Sequence, residues 1–252
     1  MIIFVHMKTV KFHINIPIEL NQLNDVFNQE HAKLYLVGGA VRDALTGNKP
    51  KDFDLVTEAL PERIIEILIN HNIKMVDKDF RFGVIRAYIN EHEFEIVTAR
   101  KDETSGRRPD SVSFTDISHD ASRRDLTINA LYYDISTETI IDHVGGIKDI
   151  KKNIIKTVGK TRDRFTEDPL RKLRAIRFAG IQTSQFNKNI DNALKEDNSL
   201  LEVSEERIRD EFIKTINRAQ SIPYVLGLLN KYSFLSNCVL PNLNLNTASV
   251  SN

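Results

Sequence analysis

Between Leu34 and Thr57 the chain reads Leu-Tyr-Leu-Val-Gly-Gly-Ala-Val-Arg-Asp-Ala-Leu-Thr-Gly-Asn-Lys-Pro-Lys-Asp-Phe-Asp-Leu-Val-Thr, an order of pieces that few folds accommodate. The apolar run Leu34-Tyr35-Leu36-Val37 has strand length and stops at Gly38-Gly39, where missing side chains let the backbone turn sharply and approach a ligand closely. A helix starting there would offer backbone N–H groups to an anion. After Gly47 the chain returns through Lys51-Asp52-Phe53-Asp54-Leu55-Val56, whose alternation predicts a strand with Asp52 and Asp54 on one face and Phe53 and Leu55 on the other. Two neighbouring carboxylates repel, and a hard, oxygen-seeking Mg²⁺ shared with substrate phosphates relieves the repulsion. Alone, Asp-x-Asp equally describes a solvated strand edge. Joined to a glycine pair and a helix start, it supplies the parts that metal-dependent nucleotidyl transfer requires.

The flanking sequence reads as scaffold. Residues 8–14 alternate like a short strand, and Pro17 followed by Ile18, Leu20, Leu23, Val26 and Phe27 predicts an amphipathic helix. Leu60-Pro61-Glu62 opens another helix, whose apolar face is Ile64, Ile65, Ile67, Leu68 and Ile69 and whose end is His71-Asn72. Phe82–Ile89 and Glu93–Thr98, around Asn90-Glu91-His92, have the rhythm of a β-hairpin with Glu93 and Glu95 on one face. Lys101–Asp110 lacks an apolar anchor and reads as a loop. Leu131–Asp134 and Thr139–Asp142 predict paired strands, and His143 is assigned to the turn that follows. Strand character fades from about residue 147.

Several of these stretches together resemble class II nucleotidyltransferases of the tRNA CCA-adding enzyme and bacterial poly(A) polymerase family, within the polymerase-beta superfamily. Leu34–Thr57 is similar to its first signature, and Arg123-Arg124-Asp125-Leu126-Thr127-Ile128-Asn129-Ala130 to its second, with Leu126 where the family has Phe. Glu167-Asp168-x-x-Arg171, continued by Arg174 and Arg177-Phe178-Ala179, resembles the nucleotide-selecting signature, and Ser204–Glu211 resembles a helix that supports it. The likeness covers roughly residues 14–218. It implies an α+β fold, with a nucleotidyltransferase-type head whose mixed or antiparallel sheet is flanked by helices, followed by an all-helical neck. The expected divisions are a head over 1–146, a neck over 147–240 and a polar tail over 241–252.

The same resemblance implies roles. Asp52 and Asp54 are expected to hold Mg²⁺, with Glu95, on the strand ending at Arg100, as a third catalytic carboxylate or else a strand-surface glutamate. Gly38, Gly39 and Arg42 would cradle phosphate, and Arg124, Asp125 and Asn129 would meet the ribose and phosphates of the incoming nucleotide. Asp168 and Arg171, with Arg174 on the same face, would read the base edge, since Arg only donates and carboxylate only accepts. Without the resemblance, the same spacing is an intrahelical ion-pair stripe. Thr166 is the expected N-cap of a helix running through Ala179, with Glu206 and Arg207 behind the reading pair. The loop at Arg107-Arg108-Pro109 is shorter than usual for the family, and His143 stands where the family has proline.

Composition narrows what such a chain binds. At 252 residues with 41% hydrophobic content and a mean hydropathy of −0.31, it has the composition of a globular domain or two. The apolar start at Met1–Val5 is too short for a membrane span, so a cytoplasmic protein without membrane contact is expected. A single cysteine, Cys238, excludes an internal disulfide and a multi-cysteine zinc site. The formal net charge is zero, but Lys148–Arg177 carries 11 Lys or Arg against 4 Asp or Glu, while Gln182–Glu211 carries 4 against 8. Nucleic-acid contact is therefore expected on one side only. The expected partners are CTP, ATP and the acceptor arm at the tRNA 3′ end, with a dimer or partner protein compensating for a short C-terminus. The expected activity is addition of CMP and AMP. Poly(A) tailing, CC-only or A-only addition, transfer to a small molecule or protein, and a non-catalytic RNA-binding module are the alternatives.

Overall fold

The computed structural model describes residues 7–50, 52–102 and 112–239. Arg107-Arg108-Pro109 and the polar tail from 241 lie outside the described residues. The chain divides into two compact units, one of residues 1–152 with 157–159 and the other of 153–156 with 160–252.

The first unit begins with β1 (Lys8–Lys11), α1 (Ile18–Gln29), β2 (Tyr35–Val37), α2 (Gly39–Leu45), β3 (Leu55–Thr57) and α3 (Pro61–Asn70). It continues with β4 (Lys74–Asp79), β5 (Val84–Ile89), β6 (His92–Thr98), β7 (Arg100–Asp102), β8 (Val112–Phe114), α4 (Ile117–Arg123), β9 (Leu131–Asp134), β10 (Thr139–Asp142) and α5 (Gly146–Lys151). Eight strands form one mixed sheet in the order β1-β10-β9-β2-β3-β6-β5-β4. Every pairing in it is antiparallel except β3 with β6. The expected mixed sheet with flanking helices is therefore present.

Strand periodicity explains why the central strands look apolar throughout. Leu36, Leu55, Leu131 and Tyr133 enter one core with Leu20, Leu23 and Phe27 of α1 and Ile64, Ile67 and Leu68 of α3. Their neighbours Tyr35, Val37, Val56 and Tyr132 enter a second core with Ile117 and Ala121 of α4. A strand covered on both faces has no polar side to show. At β5 and β6 one face is fully covered, with Ile85, Ala87, Phe94 and Ile96 in the first core, while Arg86, Glu93 and Glu95 occupy the other face, where Val97 packs on the second core.

His71 ends α3 as expected, and its ring meets Glu30 Oε1 at 3.1 Å. His143 holds a turn, as expected, between β10 and α5. In that turn Asp142 accepts N–H groups from Val144, Gly145, Gly146 and Ile147 at 2.7–3.0 Å, which secures the start of α5.

The second unit contains β11 (Ile154–Ile155), α6 (Thr161–Glu167), α7 (Arg171–Gln182), β12 (Gln185–Phe186), α8 (Lys188–Glu196), α9 (Glu205–Arg218) and α10 (Ile222–Lys231). It is helical apart from the two-residue parallel pairing of β11 with β12. The single helix expected from Thr166 to Ala179 is two helices. Thr166 lies in the last turn of α6, and Asp168, preceding Pro169, takes the extended conformation (φ −149°, ψ 102°) that a following proline favours. α7 starts afresh at Arg171. The buried pair of Arg177 Nε with Glu211 Oε1, at 2.6 Å, joins α7 to α9.

Gly146 sets a sharp test of this packing. A Cβ there would lie 2.2 Å from the Thr127 carbonyl oxygen, a backbone atom that a rotamer change cannot move away. Gly146→Ala should destabilise the protein by about 1–3 kcal/mol. Urea unfolding should show a lower midpoint with an unchanged slope.

Candidate active site

The carboxylates are brought together by strand register. Asp54 lies one residue before β3, and its carbonyl accepts the Val37 N–H at 3.1 Å, so it already has a neighbour across the sheet. β3 and β6 run parallel with Leu55 opposite Ile96 and Val56 opposite Val97, which brings Asp54 beside Glu95. Phe53 packs on the first core together with Leu55, whereas Asp52 and Asp54 are exposed. The predicted faces hold, but the regular strand begins only at Leu55, later than the alternation suggested. A strand pairs only where a partner runs beside it.

Electrostatics confirms the proximity. The pKa of Asp54 is raised, first by partial burial of its carboxyl and then by Glu95, with Asp52 adding to the effect and Arg124 opposing it. Asp54 thus lies within charge range of both acids and of Arg124, although the residue as a whole is exposed. Such a set of hard oxygen donors suits a divalent cation. Among the described residues no three His, Cys, Asp or Glu side chains are grouped so as to hold a metal ion by themselves. Two carboxylates with an open side match a Mg²⁺ site completed by substrate phosphates. Glu95 accepts a hydrogen bond from Lys78 Nζ at 2.6 Å.

Beside the acids lies the glycine turn. Gly38 has φ +71° and ψ −116°, a conformation that side-chain-bearing residues avoid, and it turns β2 directly into α2. A Cβ on Gly38 would be 3.7 Å from the Asn129 carbonyl oxygen and 3.8 Å from Arg124 Nη1, so the turn, Asn129 and Arg124 are close neighbours. Arg42 is buried beside the same turn, its Nη2 3.8 Å from where a Cβ of Gly39 would lie, with Nη1 donating to Asn129 Oδ1 at 2.7 Å and Nη2 to Asp43 Oδ1 at 2.6 Å. Its guanidinium also orients Asn129. Asn129 Nδ2 in turn reaches Asp125 Oδ1 at 3.3 Å, and that oxygen also accepts the Leu126 N–H at 2.8 Å.

Arg124 has a different anchor, one that the sequence reading passed over. Asp120, fully buried in α4, accepts from Arg124 Nη2 at 2.9 Å, Arg123 Nη2 at 2.7 Å and the Tyr132 hydroxyl at 2.5 Å. The Arg124 guanidinium also lies 5.3 Å from the centre of the Tyr132 ring. The spacing of an acid three and four residues before two arginines on a helix was the available signal. Nothing local in the sequence pointed to Tyr132.

Within the second unit, Asp168 and Arg171 are held separately. Arg207 Nη2 donates to both Asp168 oxygens, at 3.0 and 2.8 Å, while Arg171 Nη1 donates to Glu167 Oε2 at 2.6 Å. The Asp168 carboxylate also accepts the Leu170 N–H at 3.2 Å, so it secures the start of α7. Arg171 and Arg174 are one turn apart on α7, and Arg174 lies 5.7 Å from the Phe178 ring centre. Arg207 is thus behind the pair as expected. Glu206 is exposed, and the acid that joins α9 to α7 is Glu211, which binds Arg177.

A sheet with one parallel pairing, a glycine turn into a helix and adjacent exposed carboxylates define a nucleotidyltransferase-type head. Residues 34–156 match the poly A polymerase head domain family. The CCA-adding enzyme of Lactobacillus johnsonii is 37% identical over 212 residues, covering 78% of this chain and 52% of that protein. Poly(A) polymerase I of Escherichia coli is 39% identical over 164 residues, covering 60% of this chain and 35% of the polymerase. Among solved structures, the Bacillus stearothermophilus CCA-adding enzyme in complex with CTP superposes with a TM-score of 0.78 at 32% identity, covering 90% of this chain and 54% of that one. A tRNA nucleotidyltransferase complexed with a primer tRNA and an incoming ATP analogue gives a TM-score of 0.73 at 29% identity, covering 89% and 64%. The chain belongs to the family of CCA-adding enzymes and bacterial poly(A) polymerases. It spans about half the length of the curated CCA-adding enzymes it matches. Among the described residues no helix is long and apolar enough to cross a membrane.

Asp120 makes the site's integrity testable by pH. Burial pushes its carboxyl up, but Arg124 and Arg123 outweigh burial and hold its pKa at about 2, against an ordinary value of 3.8. A depressed carboxyl stabilises the folded state above the unfolded pKa, and that contribution is lost as pH falls through the folded value. Roughly two units correspond to about 2–3 kcal/mol, disappearing between about pH 4 and pH 2. Asp120→Asn should be less stable at neutral pH and should lack this component of acid destabilisation, as read from chemical unfolding at a series of pH values.

Proposed function

We propose that this chain is a Mg²⁺-dependent RNA nucleotidyltransferase that adds CMP and AMP from CTP and ATP to the 3′ end of tRNA, releasing pyrophosphate. The observation that carries this reading is the register that sets Asp54 beside Glu95 within charge range of Arg124, inside a segment matching the poly A polymerase head domain. Asp52 and Asp54 are the residues that would hold Mg²⁺, and a cation bound there supplies acidification of the primer hydroxyl and neutralisation of the triphosphate.

The chain's own residues do the rest. Arg124, fixed by Asp120 and Tyr132, presents positive charge to the triphosphate. Gly38 and Gly39 admit phosphate oxygens close to the backbone at the turn. Arg42 and Asp125 fix Asn129 so that its amide is set to meet the sugar of the incoming nucleotide. Asp168 and Arg171 read the base edge as acceptor and donor, with Asp168 steadied by Arg207 and Arg171 by Glu167. Because each partner is held by a different neighbour, the two can shift independently between a cytosine and an adenine. The similarity to poly(A) polymerase I supports a second reading, ATP-only tailing by the same groups.

Labelled CTP and ATP offered to tRNA lacking its terminus decide between these readings. The expected product is extension by the missing CCA nucleotides, whereas long tails from ATP with CTP refused would establish tailing. Asp52→Ala or Asp54→Ala should lower turnover by about 10²–10³-fold or more, and wild-type-like activity in either would refute the metal assignment. Arg171→Ala should reduce discrimination against UTP and GTP by about 10–100-fold, the worth of one lost bidentate contact. Competition among the four labelled triphosphates measures that change.

A further inference from the structure

Lysine is seldom buried, because an ammonium leaves water only at a large cost unless acceptors meet it. Lys172, the second residue of α7, is only 3% exposed. Its Nζ donates to Asp197 Oδ2 at 2.7 Å and to the Ser199 carbonyl oxygen at 3.0 Å. Both acceptors belong to the connection between α8 and α9, where Asp197 Oδ1 also accepts the Ser199 N–H at 2.9 Å, so the ammonium meets a turn that is itself closed. Leu200 and Val203 of this connection are buried, and the next residue, Ser204, is the N-cap of α9. The Lys172 contact thus leads directly into the first turn of α9. That turn carries Arg207, whose Nη2 holds both oxygens of Asp168. Asp168 stands four residues before Lys172 and secures the start of α7. The starts of α7 and α9 are therefore tied at two points, Asp168 to Arg207 and Lys172 to the segment that precedes Arg207.

We propose that Lys172 is a positioning residue for nucleotide selection: its buried ammonium fixes where α9 begins against α7, and so how Arg207 aims the Asp168 carboxylate. The inference rests on the reading of Asp168 and Arg171 as the base-reading pair. Apolar contacts such as those of Leu200 and Val203 hold the connection down but have no direction, whereas hydrogen bonds from one ammonium to a carboxylate and a carbonyl fix both distance and angle. Direction matters at this place. Cytosine and adenine offer an amino group where uracil and guanine offer a carbonyl oxygen, so a correctly aimed acceptor separates the two kinds of base. A displacement of about 1 Å is enough to lose such a contact. The Asp197 side chain is 64% exposed, so the tie reaches the surface and can be cut there without opening a cavity.

The test is steady-state kinetics of the intact chain with CTP and with UTP on tRNA lacking its terminus. Lys172→Met should raise the KM for CTP about fivefold and lower the preference for CTP over UTP about fivefold, with kcat for CTP within about twofold of wild type. Asp197→Asn, a change at the surface, should shift the preference in the same direction by about two- to threefold. Arg207→Met should also lower the preference, and adding Lys172→Met to it should change the preference by less than about twofold, because both act through Asp168. An unchanged preference in Lys172→Met would overturn the proposal. So would an equal loss of activity with both nucleotides, the mark of a purely structural residue, or full additivity with Arg207→Met. Thermal unfolding followed by circular dichroism identifies a variant that fails to fold. Should Lys172→Met be one, Asp197→Asn decides in its place, and an unchanged preference there overturns the proposal. Arg171→Ala separates the two levels of the argument. If it loses discrimination while Lys172→Met and Asp197→Asn keep it, only the role of Lys172 falls, whereas full discrimination in Arg171→Ala removes the base-reading assignment and this proposal with it.

Discussion

The parallel pairing of β3 with β6, set in an otherwise antiparallel sheet, is the constraint on which the head depends. With Leu55 opposite Ile96, the residues just before them, Asp54 and Glu95, become neighbours on the face away from α1 and α3. A shift of one residue on either strand would send one acid toward the apolar core and dissolve the cluster. The apolar alternation of Phe53, Leu55, Phe94 and Ile96 prevents that shift, so the core residues are also what aim the acids.

Around this pair the candidate site residues are held by a second set of buried side chains. Asp120 and Tyr132 immobilise Arg124 from beneath, and the charge of Asp120 is preserved because two guanidinium groups offset its burial. Arg42 plays the same supporting part for Asn129. Removing one partner from such a buried set leaves the others charged and unpaired, which explains how a change outside any substrate contact disturbs the site. In the second unit Arg207 does this for Asp168 and Glu211 for Arg177.

Most of the chemistry of the site was legible one short stretch at a time. Gly38-Gly39, Asp52-x-Asp54, Arg123-Arg124-Asp125 and Glu167-Asp168-x-x-Arg171 each carry a local pattern, and each pattern names its own residue types. The break at Pro169 was also written locally, since a proline constrains the residue before it as well as its own N–H, but Thr166 offered a competing cap signal. The supports that the sequence reading did not name have a common cause. The place of Arg177 depends on Glu211, 34 positions away, and that of Asn129 on Arg42, 87 positions away.

By itself, then, the sequence determined the strands β1–β3, β5, β6, β9 and β10 and the helices α1–α3, the alternation that makes the two cores, the glycine turn and the identity of the acids and arginines. These follow from periods of two and 3.6 residues and from side-chain chemistry, which are local properties. Only the tertiary structure decided that β3 lies parallel to β6, that Asp120 and Tyr132 anchor Arg124, that Arg42 is buried against Asn129, and that a bulge turns Lys78 onto Glu95. Each of these depends on which distant segments share a sheet edge or a core, and strand pairing between distant segments is set by the packing of the whole domain rather than by neighbours in the chain.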